Sequence, residues 1–257
     1  LSGIKAIASK ATDAIVGIVK DASSVMDSVI RTSNALSQMG YETDTINKHM
    51  QMLRNNANLT AASTGDLADG FLQLTASWKD IDLAANATRS LSDAILAAGG
   101  TTDGIANAIT QISQVALDGP LDAQTWLSLR NSGLTPTLAT LAEMNGMDIN
   151  EFKEALGQGE LTTRDFLNSL IELDSQNEKI AKSNAAATLS GSWENARNTI
   201  VDAVAQVEEK IWSASGLGSV FSDVADGIAS SVRNLPEFVK NIDSMGGPVK
   251  FLKKVFE

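Results

Sequence analysis

The sequence predicts an all-α protein, and three observations carry that prediction. Apolar residues recur at spacings of three and four along most of the 257 residues, which is the repeat of one helix face. Stretches alternating apolar with polar residues are scarce, and β-branched residues sit at helical spacing instead. The middle of the chain is punctuated again and again by a Ser, Thr or Asp before a helical run and a Gly or Pro after it.

The first forty residues carry the clearest repeat. Ile4, Ala11, Ile18 and Val25 recur every seven residues, and so do Ala8, Ile15, Ala22, Val29 and Leu36. The two series interleave as the seam of a coiled coil. An amphipathic helix packing on its own domain would show nearly the same pattern over so few turns. Residues 1–40 are therefore expected to form one long amphipathic, coiled-coil-like helix, with Ile4, Ile15, Ile18, Val25, Val29 and Leu36 as candidates for self-association.

A compact multi-helix module is expected over 41–190. Asp44 is read as the cap of TINKHMQMLRNNA, with its single His49 on the helix surface. Asp80 caps IDLAANATRSLSDAILAA, and Gly99-Gly100 stops that helix where a left-handed residue is needed. Thr101 caps TDGIANAITQISQVAL, expected to run to Gly119-Pro120 with Ile105, Ile109, Ile112 and Leu117 on one face. Asp122 caps AQTWLSLRN, whose Trp126, Leu127 and Leu129 form an apolar face, and Gly133 ends it. Thr135-Pro136 start the next helix as cap and first helical residue.

Gly146 closes that helix. Asp148 with Glu151, and Thr162 with Asp165, have the spacing of capping boxes. A polar, Ala-rich helix then runs toward Ser190-Gly191. Residues 191–257 are expected to be a further helical segment continuing into a longer chain, with a stripe of Trp193, Ala196, Ile200, Val204, Val207 and Ile211 and breaks before Pro236 and Pro248. The core of the module is expected to include Leu91, Ile95, Ile105, Ile109, Ile112, Trp126, Leu141, Phe152 and Phe166.

Composition narrows the function. The net charge of −11 opposes holding nucleic acid by phosphate neutralisation, and it opposes binding to anionic lipid. Without cysteine there is no disulfide framework, thiolate nucleophile or thiolate metal site. One histidine cannot supply a site of several imidazoles. Carboxylate pairs such as Asp80/Asp82 and Glu208-Glu209 have the spacing of caps and solvated faces, and nothing in the spacing sets two across a cleft as a glycosidase requires. No phosphate loop, nucleophile elbow or dinucleotide fingerprint is found.

The stretch GQGELTTRDFLNSL resembles the end of a calcium loop, but aligning Gly159 as the sixth residue puts Leu156 at the third position and Asp165 at the twelfth. That arrangement is too poor in oxygens for calcium, so the capped-helix reading is preferred. No catalytic residue, cofactor or metal is expected.

From about Gly65 to Ile211 the chain resembles the tape measure domain of long-tailed bacteriophages and prophages. The ordered motifs are AGGTTDGIANAITQISQVALDGPLDAQTWLSLRNSGLTP, then NGMDINEFKEALGQGELTTRDFLNSLIEL and LSGSWENARNTIVDAV. The family corner lies at Asp118, Gly119, Pro120, Leu121, Asp122, Trp126, Gly133 and Pro136. The resemblance implies a structural tail component that helps set tail length and is released at genome ejection. It implies as partners other copies of the chain, the tail tube protein, tail assembly chaperones and tail-tip proteins. It implies residence inside the tail tube of the virion, after assembly in the host cytoplasm. The alternative is a membrane-active delivery module acting on the host envelope.

Overall fold

A computed structural model describes residues 24–25, 27–187 and 198. The chain divides into two compact units, Val29–Gly191 and a second made of Leu1–Ser28 with Ser192–Glu257. The few described residues of the second unit are helical. The remainder of the expected N-terminal helix and of the C-terminal segment lies outside the described residues.

Among the described residues, every regular element of the Val29–Gly191 unit is helical. Its opening helix covers 29–38 (α1) and turns at Gly40, where φ is +93°. Then come α2 (Thr43–Thr60), α3 (Thr64–Trp78), α4 (Ile81–Ala97) and α5 (Thr102–Ser113). After a loop follow α6 (Ala123–Leu129), a kink at Arg130–Leu134, α7 (Thr135–Met144), α8 (Ile149–Gln158), α9 (Thr163–Glu172) and α10 (Asp174–Ala187).

The sequence explains α4's position at the centre. Ala84, Ala85, Ala87, Thr88, Ser90, Ser92 and Ala94 are all buried, along with Leu91 and Ile95. A helix that is small or apolar nearly all round has to be surrounded, and α2, α3, α5, α9 and α10 all pack on it. The Thr88 hydroxyl donates to the Ala84 carbonyl at 2.8 Å, so burying it leaves no lost hydrogen bond. The last carbonyls of α4, those of Leu96 and Ala97, accept from Asn184 Nδ2 at 3.1 and 3.0 Å, which satisfies groups a helix end otherwise leaves open.

Most helix starts follow the expected chemistry. Ser63, Asp80, Thr101, Asp122, Asp148 and Thr162 each accept a backbone N–H of the first turn, and the last two complete capping boxes. Gly99, Gly146 and Gly159 take positive φ just past helix ends. All nine expected core residues are buried.

Four local expectations are corrected. Asp44 lies inside the first turn of α2, and Glu42 precedes the helix without a side-chain cap; an acid there still complements the helix dipole. The helix begun by Thr101 ends at Ser113, because Gln114 N–H turns back to the Gln111 and Ile112 carbonyls and tightens the last turn. Leu117 is therefore buried from a loop. Thr135 is the first residue of α7, not its cap, and Leu134 fills the cap position without a side-chain bond. Leu127 is exposed, so the buried face of α6 is Thr125, Trp126 and Leu129.

His49 is also corrected, since it is buried at 4% exposure. Its ring meets Phe71 edge-on at 5.8 Å, and Nε2 lies 2.9 Å from Asp82 Oδ1. The spacing Ile46, His49, Met50, Leu53 places the imidazole on the inner face of α2, and the carboxylate at the start of α4 supplies its polar partner.

Candidate functional site at the 117–136 corner

The LDGPLD stretch is stitched to a distant part of the chain. Leu121 N–H donates to the Leu156 carbonyl at 3.0 Å, at the end of α8. Returning from the start of α9, Thr163 N–H donates to the Gly119 carbonyl at 2.9 Å and Arg164 N–H to the Leu117 carbonyl at 2.8 Å. Backbone groups pressed against two helix ends lose water and need partners, and these three bonds supply them at Leu117, Gly119 and Leu121. The order of the motifs thus has a physical reason: DGPL and GELTTRD fit each other in space.

Charge fastens the same junction on its outer side. Arg164 Nε donates to Asp118 Oδ1 at 2.7 Å and a terminal nitrogen reaches Asp80 Oδ2 at 3.4 Å. Bonding to Asp118 raises the guanidinium pKa further above its ordinary value. Asp118 is largely exposed, so this bridge adds at most about 1 kcal/mol and chiefly fixes register.

Asp122 begins α6 by accepting the N–H groups of Gln124 and Thr125, each at 2.8 Å. The bond from the Thr125 N–H is the main cause holding its carboxyl below the usual carboxylate range. Trp126 then enters the core at 4% exposure, edge-on to Phe152 with ring centroids 6.2 Å apart. Leu121, Leu129 and Leu134 are buried around it.

At the far end of the corner, Gly133 adopts φ +105° within the kink, a conformation that favours glycine. Here the two glycine-rich halves of the motif meet. A Cβ on Gly104 would stand 2.7 Å from the Ser132 carbonyl oxygen, and one on Gly100 would stand 3.1 Å from it. Ser132 Oγ also accepts from Asn107 Nδ2 at 2.9 Å and donates to the Ser128 carbonyl at 2.8 Å. The contact is with backbone that cannot swing aside. Gly104→Ala should therefore destabilise by about 1–3 kcal/mol, as overpacking does, despite alanine's better helix propensity. Gly70→Ala meets a side chain and no backbone, with Ile109 Cδ1 at 2.6 Å and Cγ2 at 3.3 Å, so the end of Ile109 can give way and the loss should be smaller. Thermal melts of the two variants test the contrast.

Pro136 is the second residue of α7, where its missing N–H is no loss, and Pro120 is exposed beside Gly159. Of the eight motif residues, Asp118, Gly119 and Leu121 bond across to α8 and α9, Asp122 caps α6, Trp126 packs on Phe152, and Gly133 approaches Gly100. The calcium alternative also has its outcome, because Asp165 Oδ2 accepts both the N–H and the hydroxyl of Thr162, at 2.9 and 2.7 Å. Among the described residues no three His, Cys, Asp or Glu side chains gather as metal ligands. No described helix is long and apolar enough to cross a membrane.

The seam residues divide. Leu36 is fully buried in the core of its own unit, and Val29 packs partly against that core. Val25 is half-buried, whereas Ile4, Ile15 and Ile18 lie outside the described residues.

Some partners were not signalled by sequence. Asp80 is legible as a cap, but its second use by Arg164 comes from α9, 84 residues away. The buried bonds from Asn56 to Asp93 likewise join side chains 37 apart.

These features define an all-α structural module whose distinctive motif is a packing junction. A family model for tape measure proteins matches residues 20–209, about three quarters of the chain, and the chain belongs to that family. Its role is structural: it serves in setting the length of a phage tail. No curated protein and no solved structure matches it.

Proposed function

We propose that this segment works inside the phage tail as a folded, non-catalytic module of the tape measure chain. Its partners would be other copies of itself, the tail tube protein, tail assembly chaperones and tail-tip proteins. It would meet them first in the host cytoplasm and later within the tube, leaving at genome ejection. The observation that supports this reading most is the corner, where the motif residues spend their polar groups and glycines on each other. In the same reading residues 41–190 are the module proper, and self-association belongs to Ile4, Ile15, Ile18 and Val25, since Leu36 is occupied within its own unit.

One experiment tests the reading. The 257-residue chain is sedimented alone and after tail tube protein has polymerised in its presence, beside an Ile15→Asp/Ile18→Asp variant. The chain is expected to pellet with the tubes and resist added protease there, and the variant to self-associate more weakly. A chain that stays in the supernatant and is digested at the same rate with and without tubes would remove the tube from its partners.

A further inference from the structure

The α4–α10 interface is built unlike the rest of the core. The buried residues of α10 are Asp174, Asn177, Ala181 and Ala185, while its Ile180 faces solvent. Two alanines bury little apolar area, so hydrophobic burial alone holds this helix weakly. In place of apolar side chains there is a buried polar cluster. Asp93 of α4 is fully buried, and its two carboxylate oxygens both accept from Asn56 Nδ2 of α2, at 2.8 and 2.9 Å. Asp174, 4% exposed, is ion-paired with Arg89 of α4. Asn177 Nδ2 is buried without a hydrogen-bond partner, and hydrogen bonding to Ser90 and Asp93 opposes the rise that burial imposes on the Asp174 carboxyl.

Two buried carboxyl groups served by one guanidinium are overcharged. Asp93 and Asp174 stand near enough to act on each other's ionisation. Glu178 of α10 adds a third negative charge, and its own cation, Lys182, lies one turn on in the same helix. Lys48 of α2 lines the adjoining groove with Arg89 and Glu178. Among the described residues, α3, α5 and α9, the other helices on α4, bring no charge that acts on Asp93. The missing positive charge is best supplied by a proton.

We propose that the Asp93–Asp174 pair is a proton-operated latch, which holds α10 on α4 and α2 while one proton is shared there and loosens the helix when both groups ionise. Burial, followed by the charge of Asp174, pushes the Asp93 carboxyl up to about 7, against the opposing bond from Asn56 and the charge of Arg89. The folded form thus binds a proton that an opened form, with an ordinary carboxyl, releases. Stabilisation from that proton is complete below about pH 4 and is lost as pH rises through about 7. The adjoining groove between α2 and α10 is lined by Asn56 and Arg89, the partners of the two carboxyl groups, so opening of α10 is what brings the pair to solvent.

The test is hydrogen exchange of the full chain, followed at the α10 amides and corrected for intrinsic rates, between pH 5.5 and 8. The opening constant of α10 is expected to rise at least about tenfold over that range. Asp93→Asn, which keeps the shape and one oxygen to accept from Asn56 Nδ2 but cannot ionise, should keep α10 protected at pH 8. Equal pH dependence in wild type and variant would overturn the proposal. A second measurement needs no variant: the side-chain carboxyl carbon of Asp93, followed by NMR, should titrate near neutrality. Titration in the ordinary carboxylate range would overturn the latch even if the variant failed to fold.

Discussion

Trp126→Ala should lower the stability of the chain's main helical unit by about 3–5 kcal/mol, which in a unit of this size moves the melting midpoint by roughly 6–20 °C. The indole is buried on the short helix α6 and stands edge-on to Phe152 of α8. Seven residues form too short a helix to persist alone, so α6 keeps its shape through Asp122 at its start and Trp126 in its middle. Removing the ring leaves a void between α6 and α8 that the clamped loop beside it resists filling, because Leu121 N–H is bonded to the end of α8. Trp126→Phe retains an aromatic ring against Phe152 and should lose much less. Thermal melts of the three proteins decide the matter. An unchanged midpoint in the alanine variant would mean the ring contributes no packing, and the corner would lose its anchor.

What could be read from the sequence was whatever acts locally. Asp80, Thr101, Asp122, Asp148 and Thr162 cap helices because an oxygen at that position reaches an N–H two or three residues on, an interaction complete within one turn. The core face of α5 was equally plain, since Ile105, Ile109 and Ile112 repeat at helical spacing and are all buried. Polar residues were harder because their meaning depends on what lies across from them. His49 reads as a surface residue until Asp82 and Phe71 are brought beside it. Leu36 continues the heptad seam on paper, yet it turns into the core of its own unit. The corner was conspicuous in the sequence, but its purpose lay in GELTTRD, whose backbone returns to it from more than forty residues away.

Arg89→Met is expected to produce a loss of similar size, about 3–5 kcal/mol at pH 7.5, through a different cause. The guanidinium is the cation paired with Asp174 at the α4–α10 interface, and removing one partner of a buried pair leaves the other charge uncompensated. Burial already holds the Asp174 carboxyl above its ordinary value, with Arg89 opposing that rise. Without Arg89 the carboxyl rises further, so the folded variant takes up a proton that the unfolded chain does not hold. The stability this proton supplies is present at low pH and lost as pH rises through the raised value. The penalty should accordingly shrink between pH 7.5 and pH 5. Adding Asp174→Asn removes the stranded charge while keeping its shape, and the double variant should recover most of the loss. Denaturant unfolding at both pH values, read as a double-mutant cycle, separates the explanations. A double variant as unstable as Arg89→Met alone would mean that Arg89 acts through its packed hydrocarbon stem and not through its charge.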